Sequence, residues 1–496
     1  METEERSVLG RYLRVLLRSY EIPRRIRHHG RDRLRIYDPV HGVITLEGPL
    51  ITLFETPFIQ RLAMIRQLSF AYLIPEYRAA HHTRLEHSLG VMHLMGRLFD
   101  SRRFQEGLRE HGVEGGRLRE LRMEAMIAGL LHDAGHPPFG HGLEPLIAPH
   151  GVMLCGLKAV TQHYSTLLVC EYLDSRELFV RDVLEDAGID VENIKKILLG
   201  PEYPGDAEPE YQALNYALQS DMDVDRMDYL LRDLYFTNPR LGRGYEGYKE
   251  MVNVLIESAK PVSYQVGRFE LVVGFDRRRE DAVRGLLDLR EQMYRLVYGH
   301  RRNTAYELML SHATYLVWIE MGGISHERTL REIIRLPDPY LLFLLHLSAD
   351  PYVRELAIRL EAGVPFEPIN IDLGPEDMNR WGELERRLVG GMAYSPVYEF
   401  EWYLTKEALD GAEGVRRFCG YLEERPICFV DIFRGLRQIR LEEPRPPIVY
   451  TEEGVREVLR QPREGASKVR VFVPHELRDR AERVRDAFLE ALAVFP

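Results

Sequence analysis

A stripe of apolar residues with helical spacing runs directly into a histidine–aspartate pair. The stripe repeats every three or four residues, as on the buried face of a helix, and consists of Met123, Met126, Ile127, Leu130 and Leu131. His132 and Asp133 follow at once, which places an imidazole and a carboxylate at the inner end of a core helix. Burying this pair without partners costs several kcal/mol. The pattern therefore indicates a metal ion or another charged partner, and Pro137 and Pro138 are expected to stop the helix.

Other polar side chains gather around this pair. Ten of the 18 histidines lie within residues 81–163. Two further helical segments each carry a polar face. The first face contains Asp225, Tyr229, Arg232 and Asp233, and the second aligns Arg290, Tyr294, Tyr298 and Arg301. Because both segments belong to the most core-like part of the chain, we interpret these faces as the walls of a pocket, with solvated helix surfaces as the alternative.

The charge composition limits the classes of partner. Among 496 residues, 77 are acidic and 66 basic, and the net charge of -11 argues against a general nucleic-acid coat. Only seven of the basic residues are lysine. Arginine suits phosphate and carboxylate partners, although a biased genome or a hot habitat explains the same excess. The nine arginines of residues 11–35 predict a basic arm or first helix, either for a subunit or polyphosphate contact or as a solvated face.

Cysteine spacing and hydropathy indicate the compartment. The four cysteines are too far apart along the chain to suggest a disulfide framework or a CxxC zinc site. No apolar run reaches the ~18–20 residues that span a bilayer, and the N-terminus does not read as a signal peptide. We therefore expect a cytoplasmic protein without membrane contact.

The periodicity predicts a mainly α fold. Residues 1–35 form the basic N-terminal arm, 36–340 a helical catalytic lobe, and 341–496 a smaller α+β C-terminal lobe. Strands are predicted at Gly42–Leu46, Phe269–Phe275, Ile427–Ile432 and Val469–Val473. An amphipathic helix is predicted near His475–Phe495.

The order His87, His132-Asp133, Asp225 resembles the HD phosphohydrolase superfamily. The motifs that carry the resemblance are RLEHSLGV at 84–91, HDAGHPPFGH at 132–141 and MDVDRMDYLLRD at 222–233. Within that superfamily the chain resembles the dNTP triphosphohydrolases, including the sterile-alpha-motif and HD-domain type, over residues 38–302. No sterile alpha motif domain is expected, since fewer than 40 residues precede the similar region.

The resemblance implies roles for individual residues. The implied metal ligands are His87, His132, Asp133 and Asp225, a mixed nitrogen and oxygen set that suits Mg, Mn, Fe, Ni or Zn. The implied catalytic residues are Arg84, His136, His141, Glu144 (in place of a family aspartate) and His163. The implied substrate-binding residues are Gln67, Leu68, Arg226, Tyr229, Asp233, Arg290, Tyr294, Tyr298 and Arg301.

The implied function is metal-dependent hydrolysis of deoxynucleoside triphosphates to deoxynucleoside and inorganic triphosphate by a homo-oligomer, a dimer or tetramer. One alternative is an HD phosphodiesterase or nuclease acting on nucleic acid or a signalling nucleotide. The chain lacks a GYP triplet and an HDxxED pattern, and its acidity argues mildly against long polynucleotides. Nucleic acid is therefore a possible but not an expected partner. A non-catalytic nucleotide sensor is the third interpretation.

Overall fold

Helices predominate in the computed structural model, which confirms the mainly α prediction. The structure describes residues 8–21, 32–143, 146, 153–154, 157–158, 164–175, 179–239, 241–322, 327–390, 395–409, 425–426, 428–431, 445–458 and 468–494. The helices up to residue 200 are α1 (Val8–Glu21), α2 (Pro49–Phe54), α3 (Pro57–Gln60), α4 (Arg84–Asp100), α5 (Arg102–Glu110), α6 (Gly116–Leu131), α7 (Tyr164–Asp174), α8 (Val180–Asp186) and α9 (Val191–Leu199). Those after residue 200 are α10 (Pro209–Leu218), α11 (Val224–Thr237), α12 (Gly244–Ser258), α13 (Glu280–Met293), α14 (Arg301–Glu320), α15 (Glu327–Ile333), α16 (Asp338–His346), α17 (Pro351–Ala362), α18 (Pro375–Gly390), α19 (Ser395–Leu409) and α20 (Ala481–Val494).

Short strands accompany these helices. They are β1 (Arg33–Asp38), β2 (Gly42–Glu47), β3 (Met153–Leu154), β4 (Leu157–Lys158), β5 (Lys260–Val266), β6 (Phe269–Asp276), β7 (Glu367–Asp372), β8 (Phe429–Val430), β9 (Ile448–Tyr450), β10 (Val455–Glu457) and β11 (Lys468–Val473). The predicted strands at Gly42–Leu46, Phe269–Phe275 and Val469–Val473 are confirmed as parts of β2, β6 and β11. Of the predicted strand Ile427–Ile432, only the two residues of β8 pair with a neighbour among the described residues.

The centre of the fold is formed by α4, which packs against both α6 and α11. Gly129 of α6 allows a close approach, because a Cβ there would lie 3.1 Å from Met92 Cα of α4. Met92, Leu130 and Leu231 are all buried in this contact region. The packing brings together the beginning of α4, the end of α6 and the beginning of α11, which are the three places where the predicted metal ligands occur.

The two predicted lobes share a β-sheet. In the order β10-β9-β6-β5, strand β9 runs parallel to β6, with Ile448 opposite Gly274. Residues from both sides of the predicted division at 340/341 therefore form one sheet, and the division itself falls inside α16. A second sheet, β7-β11-β8, is built from the C-terminal region alone.

The chain ends differ in detail from the sequence prediction. Within the predicted basic arm, α1 is an amphipathic helix whose Leu9, Leu13 and Leu17 are buried against α15 and α16. The arginines at 24–31 lie outside the described residues. The predicted C-terminal helix begins at Ala481, after a 3₁₀ segment from His475 to Arg480. None of the helices in the described ranges combines the length and apolar character needed to cross a bilayer.

Candidate functional site

His87 lies one turn inside α4 and is fixed at both ring nitrogens. A capping box between Thr83 and Glu86 defines the start of this helix. The Nδ1 atom of His87 is 2.8 Å from Asp228 Oδ2, and its Nε2 atom is 3.0 Å from Asp225 Oδ1. Asp133 Oδ2 is 3.5 Å from the same Nε2 atom. Asp228 therefore orients the ring so that Nε2 faces the two other carboxylates.

The Nε2 atom of His132 also faces the carboxylates of Asp133 and Asp225. The residue is the C-cap of α6, and its Nδ1 lies 2.8 Å from Gly129 O, a contact that requires the proton on Nδ1. His132 Nε2 is 3.6 Å from Asp225 Oδ1 and 3.7 Å from Asp133 Oδ1. No described residue makes a hydrogen bond to this buried nitrogen. Its lone pair is thus directed at the carboxylates, as in a metal ligand.

The donor set fits a divalent metal ion. Ligand atoms of His87, His132 and Asp133 all lie within 4.8 Å of one another, and Asp225 contacts both histidines. Imidazole nitrogen with carboxylate oxygen suits first-row transition metals and Mg²⁺. These residues can therefore hold a metal ion, and the donor atoms do not select which one.

The electrostatics of the cluster also favour a cation. Burial alone would lower the pKa of His87, but its hydrogen bonds to Asp225 and Asp228 outweigh burial and raise the pKa to about 10. Burial would raise the pKa of Asp133, but His136, Arg84 and His132 bring it well below its usual range. The pKa of Asp225 is likewise lowered, by His132 and His87, against the effect of burial. Both carboxylates are therefore ionised where the four side chains converge.

Behind His87 lies a buried network that the sequence interpretation missed. Asp228 accepts from His41 Nε2 at 2.6 Å and from Arg232 Nε and NH2, each at 2.9 Å. Arg232 also donates from NH1 to Asp38 Oδ2 at 2.7 Å. Arg232 is fully buried in this network, so its predicted place on a pocket wall is wrong. Asp228 lies one helical turn after Asp225, a spacing that could have identified it as a partner of a ligand.

The metal-ligand cluster opens into a cavity of about 400 Å³. The cavity is lined by all four predicted ligands and by most of the other predicted site residues, namely Gln67, Leu68, Arg84, His136, His141, Arg226, Tyr229, Asp233, Arg290, Tyr294 and Tyr298. Lining residues without a predicted role include Ser69, Thr166, Gln219, Asn303 and Glu307. The structure thus brings the predicted ligands and the predicted substrate walls into one space.

Three of the residues that line this cavity are arginines, and each lies beside an aspartate. Arg84 pairs with Asp133, and Arg226 pairs with Asp223 and donates to Ser220 O. The Arg290 guanidinium stands 5.5 Å from the ring centroid of Tyr294 and 3.7 Å from Asp221 Oδ1. The Nε atoms of all three arginines make no hydrogen bond to the described residues. Each arginine therefore retains a donor for an anionic ligand.

Tyrosines form another wall, beside an aspartate. Tyr298 donates to Asp233 Oδ2 at 2.8 Å, and His82 Nε2 lies 2.8 Å from Asp233 Oδ1. The rings of Tyr229 and Tyr294 contact Tyr298 edge to face, with centroid distances of 6.1 and 5.1 Å. Burial raises the pKa values of Tyr229 and Tyr298, so both keep their phenolic protons. The wall offers flat rings together with fixed hydroxyl and carboxylate groups.

Arg301 is not brought to the cavity. The sequence aligned it with Arg290, Tyr294 and Tyr298 on one continuous helix, but α13 ends at Met293 and residues 294–298 form a π-helical turn. Gly299 then breaks the chain direction, and a Cβ at this position would lie 2.8 Å from Tyr294 O. Arg301 is exposed at the first position of α14. The assumption of an uninterrupted helix was wrong, and the placement of Arg301 on the wall was wrong with it.

The predicted catalytic histidines lie on a tight loop after α6. The helix ends at Leu131, earlier than the prolines, and His132 to Gly135 form turns. His136 Nδ1 is 3.1 Å from Asp133 Oδ1, and the rings of His136 and His141 are 5.3 Å apart. Phe139 and Gly140 both have φ of 56°, a left-handed conformation that is costly for phenylalanine. Glu144 and His163 lie outside the described residues.

Two buried charged residues hold this loop and were also missed. Arg61 donates to backbone carbonyls on both sides of the loop's first turn, at Ala134 (3.2 Å) and His136. Asp338 accepts from the backbone amide of Phe139 at 2.6 Å. A charged residue in the apolar stretch around Arg61 was a visible signal, but its partners are more than 70 residues away in sequence.

Comparison with protein families identifies the central part of the chain. Residues 84–233 match the family model of the HD domain. This range begins at the first residue of α4 and ends at Asp233 in α11, so it contains all four predicted metal ligands. This part of the chain is therefore similar to the HD domain.

Individual proteins are similar over more of the chain. Deoxynucleoside triphosphate triphosphohydrolase SAMHD1 of Mus musculus is 26% identical over 358 residues, 65% of this chain and 52% of the mouse protein. The protein of the same name from Homo sapiens is 26% identical over 389 residues, 70% of this chain and 56% of the human protein. The chain thus spans about half the length of these relatives. The resemblance predicted from the sequence is confirmed.

A solved structure has a similar fold. A hypothetical protein from Aquifex aeolicus aligns with a TM-score of 0.58 and 21% identity, covering 92% of this chain and 99% of that one. At this identity the match supports the fold alone. It extends well beyond the HD domain, so the C-terminal region also follows an architecture seen elsewhere.

Proposed function

Because residues 84–233 are similar to the HD domain, we propose that this chain is a metal-dependent phosphohydrolase that converts a deoxynucleoside triphosphate and water into a deoxynucleoside and inorganic triphosphate. One observation carries the proposal. A single cavity of about 400 Å³ is lined by the His87, His132, Asp133 and Asp225 cluster and also by Arg84, Arg226 and Arg290. A site for a divalent cation and a site for a polyphosphate are thus adjacent.

The arginines bind and orient the triphosphate in this proposal. Their donors are held by buried partners before substrate arrives, since Arg226 is fixed by Asp223 and Arg290 stacks on Tyr294. Preorganised donors stabilise developing negative charge without reorganisation at the moment of reaction. A divalent ion at the ligand cluster would supply a water of lowered pKa and polarise a phosphate oxygen.

His136 is the group assigned to proton transfer. The reaction breaks the bond between the α-phosphorus and the 5′-oxygen, and the leaving oxygen needs a proton. His136 lines the cavity, and its Nδ1 lies beside the carboxylate of Asp133, which stabilises the protonated ring. Glu144, proposed from the resemblance to orient a histidine, and His163 keep their proposed roles from the sequence alone.

The tyrosine wall is assigned to the sugar. Tyr298 is held by Asp233, and Leu68 and Gln67 also line the cavity. A ribose 2′-hydroxyl would be crowded by Gln67, Leu68 and the Tyr298 ring, and forcing extra atoms into a packed site costs free energy. Preference for deoxynucleotides follows from this arrangement. The SAMHD1 relatives are named deoxynucleoside triphosphate triphosphohydrolases, which supports the assignment.

Product analysis tests the proposal. Purified protein is incubated with Mn²⁺ or Mg²⁺ and each of the four dNTPs and four NTPs, and the products are identified by ³¹P NMR and chromatography. The proposal requires inorganic triphosphate and deoxynucleoside, with NTPs turned over more slowly. His136→Gln should abolish turnover, whereas His111→Gln, at a histidine that bonds Ser263 away from the cavity, should not. Release of pyrophosphate or orthophosphate would contradict the assignment.

Two further expectations belong to this proposal. A homo-oligomer is expected from the resemblance, and sedimentation of the purified protein measures it. Nucleic acid is not expected as a substrate, and a single-stranded DNA cleavage assay with the same metal-loaded protein checks the alternative nuclease.

A further inference from the structure

The segment from residue 334 to 338, which lies outside the HD domain match, contacts two loops of the cavity. Its backbone carbonyls at Ile334 and Arg335 accept from the Arg61 guanidinium, at 3.1 and 2.8 Å. The same guanidinium donates to Ala134 O at 3.2 Å and to His136 O. Arg61 is 2% exposed, so one buried guanidinium joins this segment to the backbone of Ala134 and His136.

Asp338 makes a second connection from the same segment. Its Oδ1 accepts from the amide of Phe139 at 2.6 Å, and its Oδ2 accepts from the amide of Arg66 at 2.8 Å. Phe139 is in the left-handed conformation that turns the chain towards His141. Arg66 directly precedes Gln67, whose backbone amide donates to His82 O at 3.1 Å. One carboxylate therefore joins the histidine loop to the substrate wall at Gln67.

We infer that Asp338 and Arg61 form a clamp that positions the His136–His141 loop against the Gln67 wall, and that Asp338 is a positioning residue for the reaction of the proposed function. Both Asp338 oxygens accept from backbone amides, an arrangement that favours the ionised carboxylate over the protonated acid. The left-handed Phe139 persists only where surrounding contacts fix it, and its amide is one of the two that Asp338 binds. Without the clamp, the loop is free to relax towards an ordinary backbone conformation.

The ionised carboxylate is unfavourable for stability, which supports a functional reason for it. Burial raises the pKa of Asp338 to about 7, although the two backbone amides, Arg66 and Arg61 act in the opposite direction. A folded-state pKa above the unfolded value means that stability falls as the pH rises from about 4 to 7. Asparagine, which has no charge to bury, should therefore maintain the folding stability while losing one of the two acceptors.

The test compares Asp338→Asn with a matched control. Asp350→Asn changes another aspartate whose two oxygens are both bound, by Tyr352 N at 2.9 Å and by Arg425 at 3.0 Å, away from the cavity. In the full-length Mn²⁺-loaded protein, Asp338→Asn is expected to lower kcat at least tenfold with KM for dNTP changed less than threefold. Its Mn²⁺ affinity should stay within twofold of wild type. Asp350→Asn should leave kcat within twofold.

Hydrogen–deuterium exchange reads the clamp without relying on turnover. Amides of residues 134–142 should exchange at least tenfold faster in Asp338→Asn and in Arg61→Lys, which keeps the charge but loses the fork, and not in Asp350→Asn. Unchanged exchange in both variants overturns the clamp whatever the activity. An Asp338→Asn protein with kcat within twofold of wild type, or one that loses Mn²⁺ binding together with kcat, overturns the positioning role. If both variants show the faster exchange but the wild-type protein does not turn over any dNTP, the clamp is supported and the proposed function is contradicted.

Discussion

Replacing Asp228 with asparagine tests whether the network behind His87 sets the geometry of the metal site. Asp228 accepts four hydrogen bonds in the folded protein, one each from His41 and His87 and two from Arg232. Asparagine has nearly the same shape but only one acceptor oxygen and no charge. The His87 ring would lose the partner that keeps Nε2 directed at Asp225 and Asp133.

The magnitudes follow from burial and from the number of bonds lost. Arg232 is fully buried and, within the described part of the chain, would retain Asp38 alone as a counter-charge. Breaking a buried ion pair by removing one partner costs about 3–5 kcal/mol, and the similar shape of asparagine places this variant near the lower limit. Losing the residue that orients a ligand histidine typically weakens metal affinity about 10–100-fold. We therefore expect a loss of about 3 kcal/mol in unfolding free energy and at least a tenfold rise in the Mn²⁺ Kd.

Isothermal titration with Mn²⁺ and guanidinium unfolding of the metal-free protein measure the two effects. Asp276→Asn is the control, because Asp276 also accepts from two arginines, Arg103 and Arg278, but lies on β6. It should leave the Mn²⁺ Kd within twofold. Gly90→Ala should repeat the Asp228→Asn result, since its Cβ would lie 1.8 Å from Asp228 Oδ1. Unaltered Mn²⁺ affinity in folded Asp228→Asn would refute the reasoning.

Four further variants probe the cavity walls and the C-terminal region. Tyr298→Phe removes one hydrogen bond to Asp233 and should raise the KM for dNTP about fivefold, which corresponds to about 1 kcal/mol. In steady-state assays it should also reduce the preference for dNTP over NTP substrates. Arg290→Gln should raise the KM for dNTP roughly 10–100-fold, because a charged hydrogen bond to the substrate is lost. Arg301 is exposed, so Arg301→Gln should leave this KM within twofold of wild type. An equal rise in KM in both variants would contradict the cavity geometry. Burial raises the pKa of Glu401 to about 8 from 4.5, so wild-type stability should fall as the pH rises between these values, by at most about 1.4 kcal/mol per pH unit. Glu401→Gln should remove this fall in urea unfolding at pH 5.5 and 8.5, and an identical pH dependence in both proteins would contradict it.

The part of the site that could be predicted from sequence is the part with local signals. An apolar stripe leads to His132 and Asp133, and the motifs of the resemblance contain His87 and Asp225. The structure brings these four side chains together, with Asp225 Oδ1 3.0 Å from His87 Nε2 and 3.6 Å from His132 Nε2. The helical period also placed Tyr229 correctly beside the cavity. Helix ends and faces depend on neighbouring residues, so a single sequence contains the necessary information.

The parts that were wrong or missed depend on distant contacts or on a break in the period. Arg301 does not line the cavity, because a π-helical turn and Gly299 interrupt the helix that the 3.6-residue period predicts to be continuous. Helical spacing predicts Arg232 on the pocket wall. The structure instead pairs it with Asp38, which is 194 residues away in sequence. Asp338 meets the histidine loop across a separation of 199 residues. Pairings at such distances follow from packing, which periodicity does not specify.

Hydrolysis in ¹⁸O-labelled water tests the central claim most directly. The Mn²⁺-loaded wild-type protein is given a single dNTP in H₂¹⁸O, and the products are analysed by mass spectrometry and ³¹P NMR. Attack at the α-phosphorus with the leaving oxygen protonated by His136 predicts one ¹⁸O atom in a terminal phosphate of inorganic triphosphate and none in the deoxynucleoside. Label in a nucleotide, pyrophosphate or orthophosphate would contradict the proposed triphosphohydrolase, and label in the 5′-hydroxyl would contradict attack at phosphorus.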